Sequence, residues 1–244
     1  MTDWDVFREA CLALLRGQNP YSVGQGQMLF FNPVWTLVPL IPLAVLPPIT
    51  GLLLNASASF TSLLLISRRL RLKSIDYFWI AICPMHLQSC IYGNIEWLPL
   101  LGLLFPPPVA MIFFAMKPQA TIGLIVLLML EEWRKGGLKA LVLTLLPTFI
   151  LAALSVLLYG LPPVPNPDNP GLRSLFPYSL IIGIPVFLLA LKQRDRQKAM
   201  FVGPFVAPYV TFHGYLPALF AFRGKYLAFA VLISFVPVIL GIVA

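Results

Sequence analysis

Six polar residues could do chemistry in a chain that is otherwise strongly apolar: Asp3, Asp5, Asn94, Glu96, Lys117 and His213. Aspartate and glutamate can take a proton from a hydroxyl. A lysine ammonium is a compact point charge that suits an anion, and an imidazole can donate or accept near neutral pH. Lys117 is the sharpest outlier, because it separates the apolar run Met111–Met116 from Pro118–Gly123. A charge at membrane depth costs roughly 2.5–3.5 kcal/mol on insertion scales, so such residues default to function; the competing reading is a lysine snorkelling from a helix end. Each of the other five also has a structural reading. An aspartate at a helix start caps free N–H groups, a polar turn such as Gly93–Glu96 closes helices, and His213 stands among aromatics in PYVTFHG.

One further pattern resembles a metal site and is set aside. Cys83, His86 and Cys90 fall on one helical face, but a fourth ligand is missing and zinc sites usually draw on loops or separate elements. They read as small polarizable residues packed between helices. The expectation is therefore no metal, and the three cysteines read as free thiols.

The elements that position these residues follow from composition. The 244 residues are 59% hydrophobic and 11% charged, with a mean hydropathy of +0.87. At about 20 apolar residues per straight span, the chain predicts an all-α polytopic membrane protein, not a soluble domain. Continuous apolar runs, without two-residue alternation, disfavour a barrel. Residues 1–48 read as an exoplasmic juxtamembrane region, with an interfacial helix over 4–16 and a proline-rich element over 29–48. The helix would turn Trp4, Phe7, Cys11, Leu14 and Leu15 to one face. Residues 49–244 read as a bundle of roughly eight to ten helices, some short, with apolar runs near 50–67, 75–92, 95–105, 108–131, 138–160, 175–191, 199–213 and 226–243.

The net charge of +8 points to membrane topology and not to nucleic acid. Thirteen of the 17 basic residues fall in four clusters between apolar runs. These are Arg68–Lys73, Arg134–Lys139, Lys192–Lys198 and Arg223–Lys225. Basic loops remain cytoplasmic, so parity places the N-terminus and the turns at 93–96 and 213 outside. The expected location is the plasma membrane of a prokaryote.

The residues also carry a family resemblance. Asp3–Phe7 with the following LLRGQNPYS, then FFNPVW and LVPLIPLAVLP, resembles the first exoplasmic loop of glycosyltransferase family 87 (DUF2029). Its members are polyprenyl-phosphate-mannose-type enzymes of the C-type membrane superfamily. CPMHLQSCIYGNIEW, MKPQATIGLIVLLMLEEW and FVAPYVTFHGYL are similar to three later family elements, in the same order. The family turn GQ-x-N stands here as Gly93-Asn94-Ile95-Glu96, the chain is short for the family, and the family's first transmembrane helix has no counterpart ahead of Asp3.

The resemblance implies a C-type helical bundle with exoplasmic juxtamembrane helices. It implies transfer of a sugar from a lipid phosphate on the outer face, with no cofactor and membrane lipids as surroundings. Asp3 would be the general base and Asp5 its understudy; Lys117, His213, Asn94 and Glu96 would serve the donor phosphate or substrate. Arg16 and Arg173 are further outer cations, and Tyr21 is a packing residue. A second reading is a catalytically degenerate relative serving as a structural subunit with partner membrane subunits.

Overall fold

The computed structural model describes residues 2–25, 28–164 and 175–241. Helix dominates these residues, and the one strand pairing among them is a two-residue antiparallel one of Gly24–Gln25 with Met28–Leu29. Residues 165–174, which include Arg173, lie outside the described residues.

Among the described residues thirteen α-helices follow one another: α1 Asp3–Leu15, α2 Ile41–Ala44, α3 Pro48–Arg69, α4 Ser74–Ile82, α5 Pro84–Tyr92, α6 Trp97–Leu100, α7 Pro107–Phe114, α8 Pro118–Tyr159, α9 Leu180–Gln193, α10 Arg196–Val206, α11 Leu216–Leu219, α12 Gly224–Ser234 and α13 Val236–Ile239. Proline opens several of them. Pro48, Pro84, Pro107 and Pro118 each stand in a first turn, where the missing N–H is no loss and the fixed φ is already helical. The apolar run over 75–92 is two helices and not one. Cys83 is extended at φ −64° and ψ 145°, as the residue before a proline prefers, so the chain breaks there. The run over 199–213 is likewise helical only to Val206. Helix α8 bends at Gly136 and Gly137, whose dihedrals leave the helical region.

Helices α3 and α8 are long and apolar enough to cross a membrane, with mean hydropathies of 1.7 and 2.5. Close approach of α8 and α10 depends on small residues. A Cβ at Gly123 would lie 2.2 Å from the Ala199 carbonyl, and one at Gly203 would lie 2.3 Å from that of Ala120. This main core joins Leu63, Ile80, Leu100, Phe114, Leu127, Met200 and Phe220. A second core joins α1 to the proline-rich segment and the 95–98 turn through Trp4, Phe7, Cys11, Phe30, Leu37, Leu40 and Trp97. The first three match the apolar face read from the sequence, whereas Leu15 is 53% exposed.

The two ends of α3 are chemically different. Its 22 residues span about 33 Å at 1.5 Å per residue. At the Arg69 end, the Arg223 guanidinium donates to the Leu70 and Arg71 carbonyls and to Gln197. Arg196 pairs with Glu131 at 2.9 Å, and the buried Asp76 accepts from the Gly224 N–H at 2.7 Å. The four basic clusters therefore collect at this end. At the Pro48 end, Trp4 Nε1 donates to the Pro48 carbonyl and Asn19 to that of Tyr159.

Candidate functional site

Helix α1 brings Asp3 to the site, and its start is built by Thr2 and Asp5. Thr2 is the N-cap; its hydroxyl accepts from the Asp5 N–H, while the Asp5 carboxylate takes the Thr2 N–H at 2.7 Å. This reciprocal capping box satisfies two orphan donors. Asp5 is thereby committed to the helix start, and Asp3, one position past the cap, is free to reach outward. The two neighbouring acids have separate jobs.

Trp4 seats α1. Its indole lies in a slot where Gly51 and Gly93 leave no room for a side chain: a Cβ would come within 2.6 Å of the Trp4 ring at Gly51 and 2.3 Å of Trp4 Cβ at Gly93. Gly93 also terminates α5 with φ +71°, a left-handed conformation that glycine adopts without steric cost. The turn after α5 is thus both left-handed and pressed against α1, which delivers Asn94 to Asp3.

Asn94 is the hub. Its Nδ2 donates to Asp3 Oδ2 at 2.7 Å. Its Oδ1 accepts from the Ile95 N–H at 2.7 Å and from Lys117 Nζ at 3.1 Å. Lys117 Nζ also donates to Glu96 Oε1 in a close buried ion pair. His213 Nε2 stands 3.6 Å from that same oxygen. Glu96 precedes α6 but makes no side-chain cap there. Asn94, Glu96, Lys117 and His213 are all buried, Glu96 completely, and Asp3 is half-buried.

Local structure explains the convergence. Lys117 occupies the tight turn between α7 and α8, held by the Thr121 hydroxyl donating to the Phe114 carbonyl at 2.6 Å. His213 lies in a 3₁₀ turn, Phe212–Tyr215, beyond the end of α10. The next residue, Gly214, packs tightly on Val210, since a Cβ there would be 2.9 Å from Val210 Cγ1, while Glu96 Oε1 would lie at an ordinary contact distance of 3.8 Å. Two buried atoms of the cluster, Glu96 Oε2 and His213 Nε2, have no hydrogen-bond partner. Two carboxylates, one amide and one ammonium are thus joined in one chain, with an imidazole poised at its end. The arrangement can hold an anion at Lys117 and accept a proton at Asp3.

The sequence reading passed over Asn55. Its Oδ1 accepts from the Trp97 indole at 3.1 Å and its Nδ2 donates to the Asn94 carbonyl at 3.4 Å, bracing the turn from α3. Its signal is an asparagine within the apolar run of α3, where a polar residue needs a partner. Of the lesser candidates, Arg16 is exposed at the end of α1, and Tyr21 stacks on Phe30 at 5.7 Å.

The Cys83, His86 and Cys90 group is tied together by hydrogen bonds. The His86 Nδ1 N–H faces the Ala81 carbonyl at 2.8 Å, which can only accept, so Nε2 accepts from Ser59 at 3.0 Å. Cys90 Sγ lies 3.4 Å from the same nitrogen. This ties α3 to α5. Among the described residues no three His, Cys, Asp or Glu side chains are grouped to hold a metal ion.

Comparisons with protein-family models, with curated proteins and with solved structures give no match to this chain. Its functional reading therefore stands on geometry and on the sequence resemblance.

Proposed function

We propose that this protein is an integral membrane glycosyltransferase. It takes a sugar, with mannose the candidate, from a polyprenyl-phosphate donor and passes it to an acceptor hydroxyl on the outer face of a prokaryotic plasma membrane. The observation that carries this reading is the meeting of Asp3, Asn94, Glu96, Lys117 and His213 at the end of the fold opposite the basic clusters. A membrane setting is supported by the apolar side chains exposed along the second half of α8 and on α9 and α12, among them Leu143, Phe149, Leu157, Ile181 and Phe229, because soluble monomers rarely expose apolar surface on that scale.

In this reading Asp3 Oδ2 is fixed by Asn94, leaving Oδ1 to take the acceptor proton as the new glycosidic bond forms. The bond from the anomeric carbon to phosphate breaks, and its electron pair leaves with the phosphate. Lys117 uses two of its three N–H donors on Asn94 and Glu96, and the third meets the charge developing on the leaving oxygen.

A second reading, a non-catalytic subunit of a larger membrane assembly, is favoured by one observation: Lys117 is already paired within the protein. Purified protein in lipid vesicles, given radiolabelled polyprenyl-phosphate hexoses and membrane extract as acceptor, separates the two. Wild-type transfer that is lost in Asp3→Asn supports the enzyme. Absence of transfer, or equal transfer by both proteins, contradicts it.

A further inference from the structure

We infer that His213 takes up a proton when a phosphate binds at Lys117, so that donor binding is coupled to protonation of the Glu96–His213 pair. This inference rests on the lipid-phosphate reading above and goes beyond it.

The first observation is charge. The cluster holds two carboxylates, Asp3 and Glu96, against one ammonium, Lys117. A phosphodiester arriving at Lys117 brings another negative charge beside Glu96 inside a buried site. Like charges in low dielectric cannot all persist without compensation. The second observation is geometry. Glu96 Oε1 is shared between Lys117 and a His213 Nε2 only 3.6 Å away. Glu96 Oε2 and His213 Nε2 are both buried without a hydrogen-bond partner. A rotation of the Glu96 carboxylate that presents Oε2 to the cationic imidazole makes an Nε2–H···Oε2 bond, and that bond satisfies both orphaned atoms. Lys117 is then freed to turn toward the phosphate. The proton comes from solvent, and no covalent bond other than N–H forms.

The same groups keep His213 neutral in the empty site. It lies in a turn outside the long apolar helices, and burial, then the neighbouring Lys117 ammonium, holds its imidazole well below the usual histidine range. The elements packed around the Phe212–Tyr215 turn bring no competing charge. Helix α5 carries His86 and Cys90, which are bonded to each other and to Ser59. Helix α10 carries its charged residues, Arg196 and Lys198, in its first turn at the basic end, and α11 (LPAL) has none. The nearby Tyr209 and Tyr215 are held above the ordinary phenol range, chiefly by burial, so both stay neutral.

The test is titration calorimetry of the full chain in detergent, using methyl farnesyl phosphate. This diester has no ionisation near neutrality, so any exchanged proton belongs to the protein. Binding heats are compared at pH 7.5 in buffers of different ionisation enthalpy. Wild type should take up about one proton per probe bound, and its affinity should weaken about tenfold per pH unit above neutrality. His213→Gln and Glu96→Gln should each bind without proton uptake. Saturable binding by wild type with no proton exchange overturns this inference alone, as does uptake that persists in His213→Gln. Absence of saturable binding overturns the lipid-phosphate reading and this inference with it. The pH dependence of wild-type binding gives an independent reading should either variant fail to fold.

Discussion

Asn94 Nδ2 donates to Asp3 Oδ2 at 2.7 Å across 91 residues of sequence, and this one bond fastens the N-terminal helix to the polar turn that also holds Lys117. It fixes one carboxylate oxygen of the half-buried Asp3. Asn at position 3 can still accept from Asn94 through its amide oxygen, so Asp3→Asn should keep the fold and lose the base. Transfer should fall by about 10²–10⁴-fold, the usual share of general base catalysis. Asn94→Ala should reduce transfer less but lower the melting temperature, since it also strips a partner from Lys117. Initial rates and thermal unfolding of the two proteins check this pair of outcomes.

Gly93 is the position where the backbone leaves least latitude. Gly93→Ala adds a Cβ within 2.3 Å of Trp4 Cβ and 2.8 Å of Leu52 Cδ1, at φ +71°. Overpacking of this kind costs about 1–3 kcal/mol, and the left-handed backbone adds about 1–2 kcal/mol. The expected result is a lower melting temperature together with loss of transfer, because α1 and Asp3 must shift. A protein with an unchanged melting temperature would contradict the close seating of Trp4.

The Lys117–Glu96 pair predicts strong coupling. Lys117→Met strands the Glu96 carboxylate in a buried site and should destabilise the protein by about 3–5 kcal/mol. Glu96→Gln alone should cost less, because the amide oxygen still accepts from Lys117. The double variant Lys117→Met with Glu96→Gln should recover much of the loss. Unfolding in mixed micelles, read as a double-mutant cycle, measures the coupling; additive losses would show that the pair is not a unit.

At the basic end, Asp195 caps α10 through the Gln197 and Lys198 N–H groups and pairs with the Lys198 ammonium at 2.7 Å. Burial alone would raise its carboxyl, but those interactions with Lys198 and Gln197 together hold it below the ordinary aspartate range. A depressed carboxyl stabilises the folded state above the unfolded pKa and loses that contribution as pH falls through the folded one. The melting temperature of wild type should therefore exceed that of Asp195→Ala at neutral pH. The gap should close in acid, below the ordinary aspartate range; a gap independent of pH would contradict the charge-assisted cap.

The parts legible in the sequence were those set by local chemistry. Lys117 shows itself by interrupting an apolar run, and the helical character follows from run length. The basic clusters foretell which loops gather, because Arg68–Lys73, Lys192–Lys198 and Arg223–Lys225 meet at one end. The parts that were not legible depend on tertiary placement. The apolar pattern over 75–92 is continuous, and only Pro84 betrays the break at Cys83. Asp3 and Asp5 are two residues apart and chemically alike; which one caps is decided by Thr2, whose hydroxyl accepts from the Asp5 N–H. The pairing of Lys117 with Glu96 across 21 residues depends on how the α7–α8 turn docks, which periodicity does not encode. Asn55 was overlooked because one polar residue in a long apolar helix barely alters its pattern.

The central claim is that the Asp3–Lys117 cluster and the basic clusters face opposite sides of a membrane. Single cysteines at Arg16 and Lys225, both exposed, test it directly. They are placed in a Cys90→Ser background, where Cys11 and Cys83 are fully buried. In sealed right-side-out vesicles, a membrane-impermeant maleimide should label Arg16→Cys before lysis and Lys225→Cys only after it. Labelling of both from the same side would contradict the account.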